Sequence, residues 1–461
     1  MQHSHTFNES ILREYDIRGV VNETLNQNDA YVLGQLLGLK ILEKGGKNAC
    51  VGFDGRNSSP LLCNRLTDGF ISVGIDVINI GCVPTPLLYF SSFILKADAG
   101  VIVTGSHNPS RYNGFKILLN NRPFFGKDIQ NLGVDSKQYS YASKSGKIIF
   151  KSINDRYIQR ILKDLENSSR ELKIIWDPAN GSGGKIISDL VKLLPGEHYV
   201  INGNIDGSFP NHHPDPTNND NLKQIINEIK DKKADFGFAF DGDADRLVVI
   251  DSNGNALLGD QLLLILSESV LNDHPGGTVV ADVKSSQILF DKIESLGGIS
   301  VMYKTGHSNI KKKMHETGAV LGGEMSGHIF FADKYYGYDD AIYAAIRILS
   351  IFSSNSINLG EALSKFPKVF NTPEIRFYCD DKNKFRVISD IGARLLNSGY
   401  QIITIDGLRV TTPTGWWLLR ASNTEPALVA RCEAETLEGL NELIAFLSYE
   451  LSLNNIKLPV S

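Results

Sequence analysis

Cysteine is scarce in this chain, long apolar stretches are absent, and each shortage removes a class of protein. Five cysteines (Cys50, Cys63, Cys82, Cys379 and Cys432) stand far apart, in odd number and without a Cys-x-x-Cys pair. That excludes a disulfide framework and a structural zinc site. It leaves reduced core thiols, as expected of a cytoplasmic protein. No apolar run reaches the roughly 18 residues that a membrane span needs. The first twenty residues include Glu9, Glu14 and Asp16 and lack the apolar stretch of a signal peptide. A large excess of one charge is missing too. With 47 Lys and Arg against 52 Asp and Glu, the net charge is −5. Nucleic acid is therefore not the expected partner, whereas local basic clusters can still hold a small anion.

What is present suffices for several cores. The 461 residues are 42% hydrophobic and 21% charged, a globular balance whose length suggests roughly three domains. Ala49–Phe53, Gly100–Val103, Lys173–Trp176, Phe236–Phe240 and Gly277–Val280 read as buried strands. Each is followed by a polar or glycine-rich loop and a helical pattern. This rhythm predicts βαβ units, mainly parallel sheets, and ligands at the loops beyond the strands' carboxyl ends. Breaks near 150, 254 and 368 divide the chain into 1–150, 151–253, 254–367 and 368–461. In the last segment Ile402–Ile405, Asp406-Gly407 and Leu408–Val410 read as a hairpin with a tight turn. Trp416–Arg420 and Leu428–Cys432 add strands to a smaller α+β unit.

Four loops hold the chemistry. Thr104-Gly105-Ser106-His107-Asn108-Pro109 follows the strand at Val101–Val103. Gly105 is expected to turn the chain sharply and to leave Ser106 exposed as a nucleophile or phosphate carrier. The esterase pattern G-x-S-x-G fails at Thr104 and Asn108, and a plain helix-starting turn is the competing reading. Asp241-Gly242-Asp243-Ala244-Asp245-Arg246 follows Phe236–Phe240. Three carboxylates on alternate positions repel one another unless a hard cation joins them, and magnesium suits such a set. An EF-hand is rejected because Arg246 and Ser252 stand where its glycine and final glutamate belong. Arg246 is placed to hold a phosphoryl group by its guanidinium fork. In Gly322-Gly323-Glu324-Met325-Ser326-Gly327-His328, Glu324 and Ser326 can grip vicinal sugar hydroxyls. In Arg420-Ala421-Ser422-Asn423-Thr424-Glu425-Pro426 a guanidinium, two hydroxyls, an amide and backbone N–H groups form a phosphate cradle. For these last two loops an ordinary polar turn is the alternative. Arg13–Gly19, Asp54–Pro60, Lys284 and Thr305-Gly306-His307 are smaller clusters that ordinary polar loops also explain. The Lys311-Lys312-Lys313 run reads as a solvated helix face.

Together these residues closely resemble the α-D-phosphohexomutase superfamily, in particular its bacterial phosphomannomutase/phosphoglucomutase branch. The resemblance runs from Arg13–Gly19 to Arg420–Pro426, with the loops in the family's order. It implies an α/β protein of four domains: three similar mixed or parallel α/β units around a central cleft, and a C-terminal α+β domain as a mobile cap. It implies that Ser106 carries a phosphoryl group and that Asp241, Asp243, Asp245 and a phosphoserine oxygen hold Mg2+. Glu324 and Ser326 would bind sugar hydroxyls, and Arg420, Ser422, Asn423 and Thr424 the non-reacting phosphate. Tyr15, Arg18, His107, Lys116, Arg246, Lys284, Thr305, Gly306, His307 and His328 match further cleft positions. The implied reaction passes a phosphoryl group between Ser106 and O1 or O6 of mannose or glucose phosphate. A 1,6-bisphosphate turns in the cleft midway, and glucose 1,6-bisphosphate serves as activator. Lys116, His107 and His328 are the candidate general bases. Met325 separates this branch from phosphoglucosamine mutases, the main alternative, where glutamine is typical. A serine phosphoenzyme phosphatase and a non-catalytic sugar-phosphate binder are the rivals from other classes. A monomer or weak dimer in the cytoplasm is expected.

Overall fold

Apolar strands ending in polar loops build the same construction three times. The computed structural model describes residues 2–166, 170–354, 357–422 and 425–459. In the first unit Asn48–Phe53 lies parallel to both Asp76–Cys82 and Ala99–Val103, and Tyr112–Leu119 returns antiparallel beside Ala99–Val103. In the second, Glu197–Val200, Lys173–Asp177 and Phe236–Phe240 are parallel, and Leu247–Asp251 returns antiparallel. In the third, Ile299–Tyr303, Thr278–Asp282 and Leu321–Gly323 are parallel, with Ile329–Phe331 antiparallel. Each unit thus ends its parallel set in one hairpin. The serine loop, the aspartate loop and the Glu324 loop are that same hairpin in the three units. Repetition that residue identity conceals is plain in the strand order.

The strands that enter these loops are buried along their whole length: Ala99–Val103, Phe236–Phe240 and Leu321–Gly323. Such continuous apolar runs suit sheets covered on both faces. One core joins the three units, from Leu87 and Tyr89 through Trp176 and Phe238 to Val279 and Leu321. Through it runs the helix Ala341–Ser354, in which twelve of fourteen residues are buried. Its one charge in the interior, Arg347, is paired with Asp333 at 2.8 Å. Full burial of each large side chain contributes about 1.5–3 kcal/mol, so this shared core fixes the units' relative positions.

The fourth unit is a separate antiparallel sheet with its own core, including Trp417, Leu419, Val387 and Leu447. It docks on the third through buried polar contacts. Arg409 donates to the carbonyls of Val283 and Ser285 at 2.7 and 2.8 Å. Glu433 accepts from Ser286 Oγ at 2.9 Å and the Gln287 N–H at 3.0 Å.

Three expectations need correction. The strands Gln401–Ile403 and Leu408–Thr412 do form a hairpin, but residues 404–407 join them in place of a two-residue turn. Asp406 is drawn out of that turn into an ion pair described below. Cys82 is exposed, unlike the four other, buried thiols, because it ends its strand at the surface. Lys311 is buried and paired with Asp339 at 2.8 Å. The helix register turns it inward, while the side chain of Lys312 stays 57% exposed.

Candidate active site

Ser106 stands beyond the carboxyl end of Ala99–Val103 and takes up the left-handed conformation itself, at φ 48°. The sharp turn is therefore made by the serine and not by Gly105. The glycine is needed for space, since a Cβ there would lie 2.5 Å from the Arg56 guanidinium carbon. Arg56 is the loop's staple. It donates to the carbonyls of Ser106 (2.7 Å), Asn108 (2.6 Å), Pro109 (2.7 Å) and Tyr112 (3.2 Å), and its Nε to Asp54 (3.1 Å). Asp54 in turn accepts from Thr104 Oγ1 and the Gly105 N–H.

Ser106 is not exposed as expected but only 2% accessible, because the aspartate loop of the second unit covers it, and its hydroxyl donates to Asp241 Oδ2 at 3.0 Å. His107 Nδ1 lies 3.3 Å from the same oxygen. Burial, and then the nearby charges of Arg246, Arg18 and Lys116, depress the His107 pKa well below the ordinary value, so its ring is neutral at pH 7. The serine loop of the first unit and the aspartate loop of the second therefore meet at one hydroxyl.

Asp241, Asp243 and Asp245 are fully buried and can bring one oxygen each within 4.8 Å of one another. Burial, then the charges of Asp243 and Asp245, push the Asp241 carboxyl well up. Lys116 opposes this repulsion, with its ammonium 2.7 Å from Asp243 and in contact with Asp245. Burial alone would lower the Lys116 pKa, but the surrounding aspartates outweigh it and raise the value. Thr85 adds a hydrogen bond to Asp243 at 2.5 Å. Asp243 Oδ1 and Asp245 Oδ1 remain buried without a hydrogen-bond partner. Orphaned hard oxygens in a cluster of negative charge fit a divalent cation such as magnesium.

Beside this cluster Arg246 Nε donates to His328 Nε2 at 3.0 Å. That places the ring proton on Nδ1, which faces Asp339 Oδ2 at 3.1 Å. Asp245, His328 and Asp339 can also bring one ligand atom each within 4.8 Å of one another, but His328 would have to give up its Nδ1 proton to serve there while Nε2 accepts from Arg246. His307 stacks on His328 with centroids 5.3 Å apart and reaches Asp339 at 3.3 Å. Burial, with the Lys311 charge, lowers the His307 pKa to about 4. Glu324 accepts the Gly306 N–H at 2.6 Å, while its Oε2 is buried without a partner. Burial raises its pKa. Ser326 is half-buried at the tip of the same loop.

Tyr15 crosses from the first unit to donate to the Thr305 carbonyl at 2.8 Å. Arg18 pairs with Asp16 and Asn108 at the mouth of the serine loop. Lys284 pairs with Glu374 of the fourth unit at 3.0 Å. Arg420 binds Asp406 at 3.0 Å, and Ser422 Oγ accepts the Glu425 N–H at 3.2 Å. Asn423 and Thr424 lie outside the described residues. Contacts of sequence-predicted residues therefore link the units pairwise: first to second at Ser106–Asp241, first to third at Tyr15–Thr305 and third to fourth at Lys284–Glu374. Sequence reasoning missed Thr85, Asp339 and Glu374, read Asp406 only as part of a turn, and passed over Asp54, Arg56 and Lys311 as ordinary polar residues. The one signal was Asp339-Asp340 directly before the apolar run at 341–346, since acids in such surroundings require partners.

Family models for phosphoglucomutase/phosphomannomutase match in series: alpha/beta/alpha domain I over residues 9–132, domain II over 155–254, domain III over 258–370 and the C-terminal domain over 374–448. A phosphomannomutase/phosphoglucomutase of Pseudomonas syringae pv. tomato is 42% identical over 443 residues, covering 96% of this chain and 95% of the relative. A phosphoglucomutase of Neisseria meningitidis serogroup A is 42% identical over 437 residues, covering 94% and 95%. The crystal structure of a phosphoglucomutase/phosphomannomutase family protein from Burkholderia thailandensis superposes with a TM-score of 0.90 at 37% identity, covering 99% of this chain and 100% of that one. Strand order, the meeting of serine and aspartate loops, and end-to-end similarity agree: the chain belongs to the phosphoglucomutase/phosphomannomutase family.

Proposed function

We propose that this chain interconverts hexose 1-phosphates and hexose 6-phosphates of mannose and glucose through a phosphoryl group carried on Ser106. The observation that carries the reading is the buried Ser106 Oγ, 3.0 Å from an aspartate of a three-carboxylate loop on another unit. Mg2+ held by Asp241, Asp243, Asp245 and a phosphoserine oxygen would supply charge neutralisation for the transferred group.

The sugar's free hydroxyl attacks the phosphorus. The new P–O bond forms as the bond to Ser106 Oγ breaks, and the hydroxyl proton passes to a base. Lys116 is held as a cation by Asp243 and Asp245 and stabilises charge instead of accepting that proton. His328, with Asp339 behind its Nδ1–H, is the base we assign. When Arg246 leaves Nε2 for the phosphoryl oxygens, the lone pair it held becomes free. His107 stays beside Ser106 Oγ, the oxygen that the phosphoryl group leaves and to which it returns. Arg420, Ser422, Asn423 and Thr424 hold the other phosphate, while Glu324 and Ser326 read hydroxyls; Tyr15, Arg18, Lys284, Thr305, Gly306 and His307 line the cleft. A cradle reading only phosphate and a pair reading only hydroxyls accept the bisphosphate in both orientations, so its second phosphate returns to Ser106. Glucose 1,6-bisphosphate would rephosphorylate any enzyme that had lost its phosphoryl group.

The test is turnover of mannose, glucose and glucosamine 1-phosphates with Mg2+ and a trace of glucose 1,6-bisphosphate, following released inorganic phosphate in parallel. Conversion of the first two without phosphate release is expected, and Ser106→Ala should remove it. Near-normal turnover in that variant would sink the mechanism. Preference for the amino sugar would overturn the specificity, and phosphate release without isomerisation the reaction class.

A further inference from the structure

A line of hydrogen bonds joins the residue placed to read phosphate to the residue placed to read sugar hydroxyls, and it passes through Asp406. Arg420 Nε and Nη2 donate to the two oxygens of Asp406 at 3.0 and 3.3 Å. Asp406 Oδ2 also accepts the Thr305 N–H at 3.0 Å. The next N–H along the chain, that of Gly306, donates to Glu324 Oε1 at 2.6 Å. The Thr305 carbonyl is fixed as well, by Tyr15 Oη at 2.8 Å and Asn309 Nδ2 at 2.9 Å. Asp406 belongs to the fourth unit, Thr305 and Glu324 to the third, and Tyr15 to the first. The Asp406 side chain is only 13% exposed.

We propose that Asp406 is a positioning residue for the reaction, fixing the Arg420 fork relative to Glu324 across the junction of the third and fourth units. The proposal rests on the mutase reading above. A bisphosphate that turns over must meet the same separation of phosphate reader and hydroxyl reader before and after turning. Those readers stand on different units, so with the fourth unit closed on the sugar their separation must be set by a contact between units. Consecutive N–H groups held by two carboxylates, Asp406 and Glu324, provide it. Two of the five guanidinium N–H groups of Arg420 go to Asp406, leaving three for a phosphate. Docking of the fourth unit does not depend on this tie. Arg409 on Val283 and Ser285, and Glu433 on Ser286 and Gln287, carry it independently.

The experiment compares the full-length chain with Asp406→Ala and Asp406→Asn. It measures KM and kcat for glucose 1-phosphate and the concentration of glucose 1,6-bisphosphate that sustains turnover. A loosened register raises KM about ten-fold in the alanine variant while kcat changes less. It also raises the activator demand, because the intermediate escapes before its second phosphate is returned. Asparagine keeps one acceptor oxygen and recovers part of both losses. A folded Asp406→Ala variant with wild-type KM and activator demand overturns the proposal, as does a fall in kcat alone. Failure of both variants to fold overturns it too, since the carboxylate would then be structural. A wild-type chain without turnover would instead bring down the mutase reading.

Discussion

Replacing Arg56 by methionine keeps an unbranched apolar stem and removes every hydrogen bond that the guanidinium makes to the serine loop. The side chain is 1% exposed, and its partner Asp54 is 2% exposed. Removing one member of a buried ion pair costs about 3–5 kcal/mol, because the other charge stays desolvated. The carbonyls of Ser106, Asn108, Pro109 and Tyr112 lose their donor at the same time. Each buried carbonyl left unsatisfied would add about 1–3 kcal/mol. These losses do not simply sum, because the loop can open and let water reach the freed groups. Opening also releases the left-handed strain at Ser106, of order 1–3 kcal/mol. The open form is therefore favoured by at least about 3 kcal/mol relative to the parent, or roughly two decades in the opening equilibrium. Hydrogen–deuterium exchange reads this locally, on peptides covering 99–119, without asking the whole chain to unfold. Amides of the serine loop should exchange about a hundred-fold faster in the variant, while peptides from Phe370 onward keep their rates. Protection within about three-fold of the parent would refute the claim that Arg56 holds this loop.

Three further outcomes follow from the same contacts. His307 titrates at about 4 in the folded chain against a usual 6.5. Between those values the unfolded chain binds the extra proton, so His307 makes stability fall as pH drops from 6.5 toward 4, by at most about 3 kcal/mol. Urea midpoints at pH 6.5 and 4.5 should separate more for the parent than for His307→Gln. A Cβ at Gly306 would stand 2.5 Å from the Tyr15 ring at φ 119°, so Gly306→Ala should displace Tyr15 and raise KM for sugar phosphate more than it changes kcat. Lys116→Met leaves Asp243 and Asp245 uncompensated, costing about 3–5 kcal/mol without a metal ion. Saturating Mg2+ should restore much of that by binding the folded state alone, so the Tm difference between Mg2+ and EDTA should be larger in Lys116→Met than in the parent.

The loops were legible because their signals are local. A buried apolar strand followed at once by Ser106, or by Asp241, Asp243 and Asp245, places chemistry at a strand end whatever the rest of the chain does. Their partners were not legible, because no local rule reaches them. Tyr15 meets Thr305 across 290 positions and Lys116 meets Asp243 across 127. Asp54 and Arg56 looked like an ordinary polar loop because their partners lie on another segment: Arg56 donates to its backbone carbonyls and Asp54 accepts from the Thr104 hydroxyl and the Gly105 N–H, and backbone groups carry no sequence signal. Lys311 was hidden by its two neighbours. A run of three lysines suggests a solvated face, but successive helix residues point about 100° apart, and the first of them turns to Asp339. The repeated hairpin escaped for the opposite reason, since strand order can persist without shared residues.

Charge pairing explains why the site lies where the units meet. Lys116 of the first unit neutralises aspartates of the second. Lys284 of the third is paired with Glu374 of the fourth, and Ser106 of the first donates to Asp241 of the second. Desolvating either member of such a pair alone costs several kcal/mol, so no unit can bury its share of the site before its neighbour arrives. The apolar surface that drives the first three units together is the single core from Leu87 to Leu321. Its burial is what brings the opposite charges within reach. Closing the core and assembling the catalytic cluster are consequently one event. A substitution that loosens the helix Ala341–Ser354 inside that core should disturb the Lys116–Asp243 contact even though the helix touches neither residue's charge.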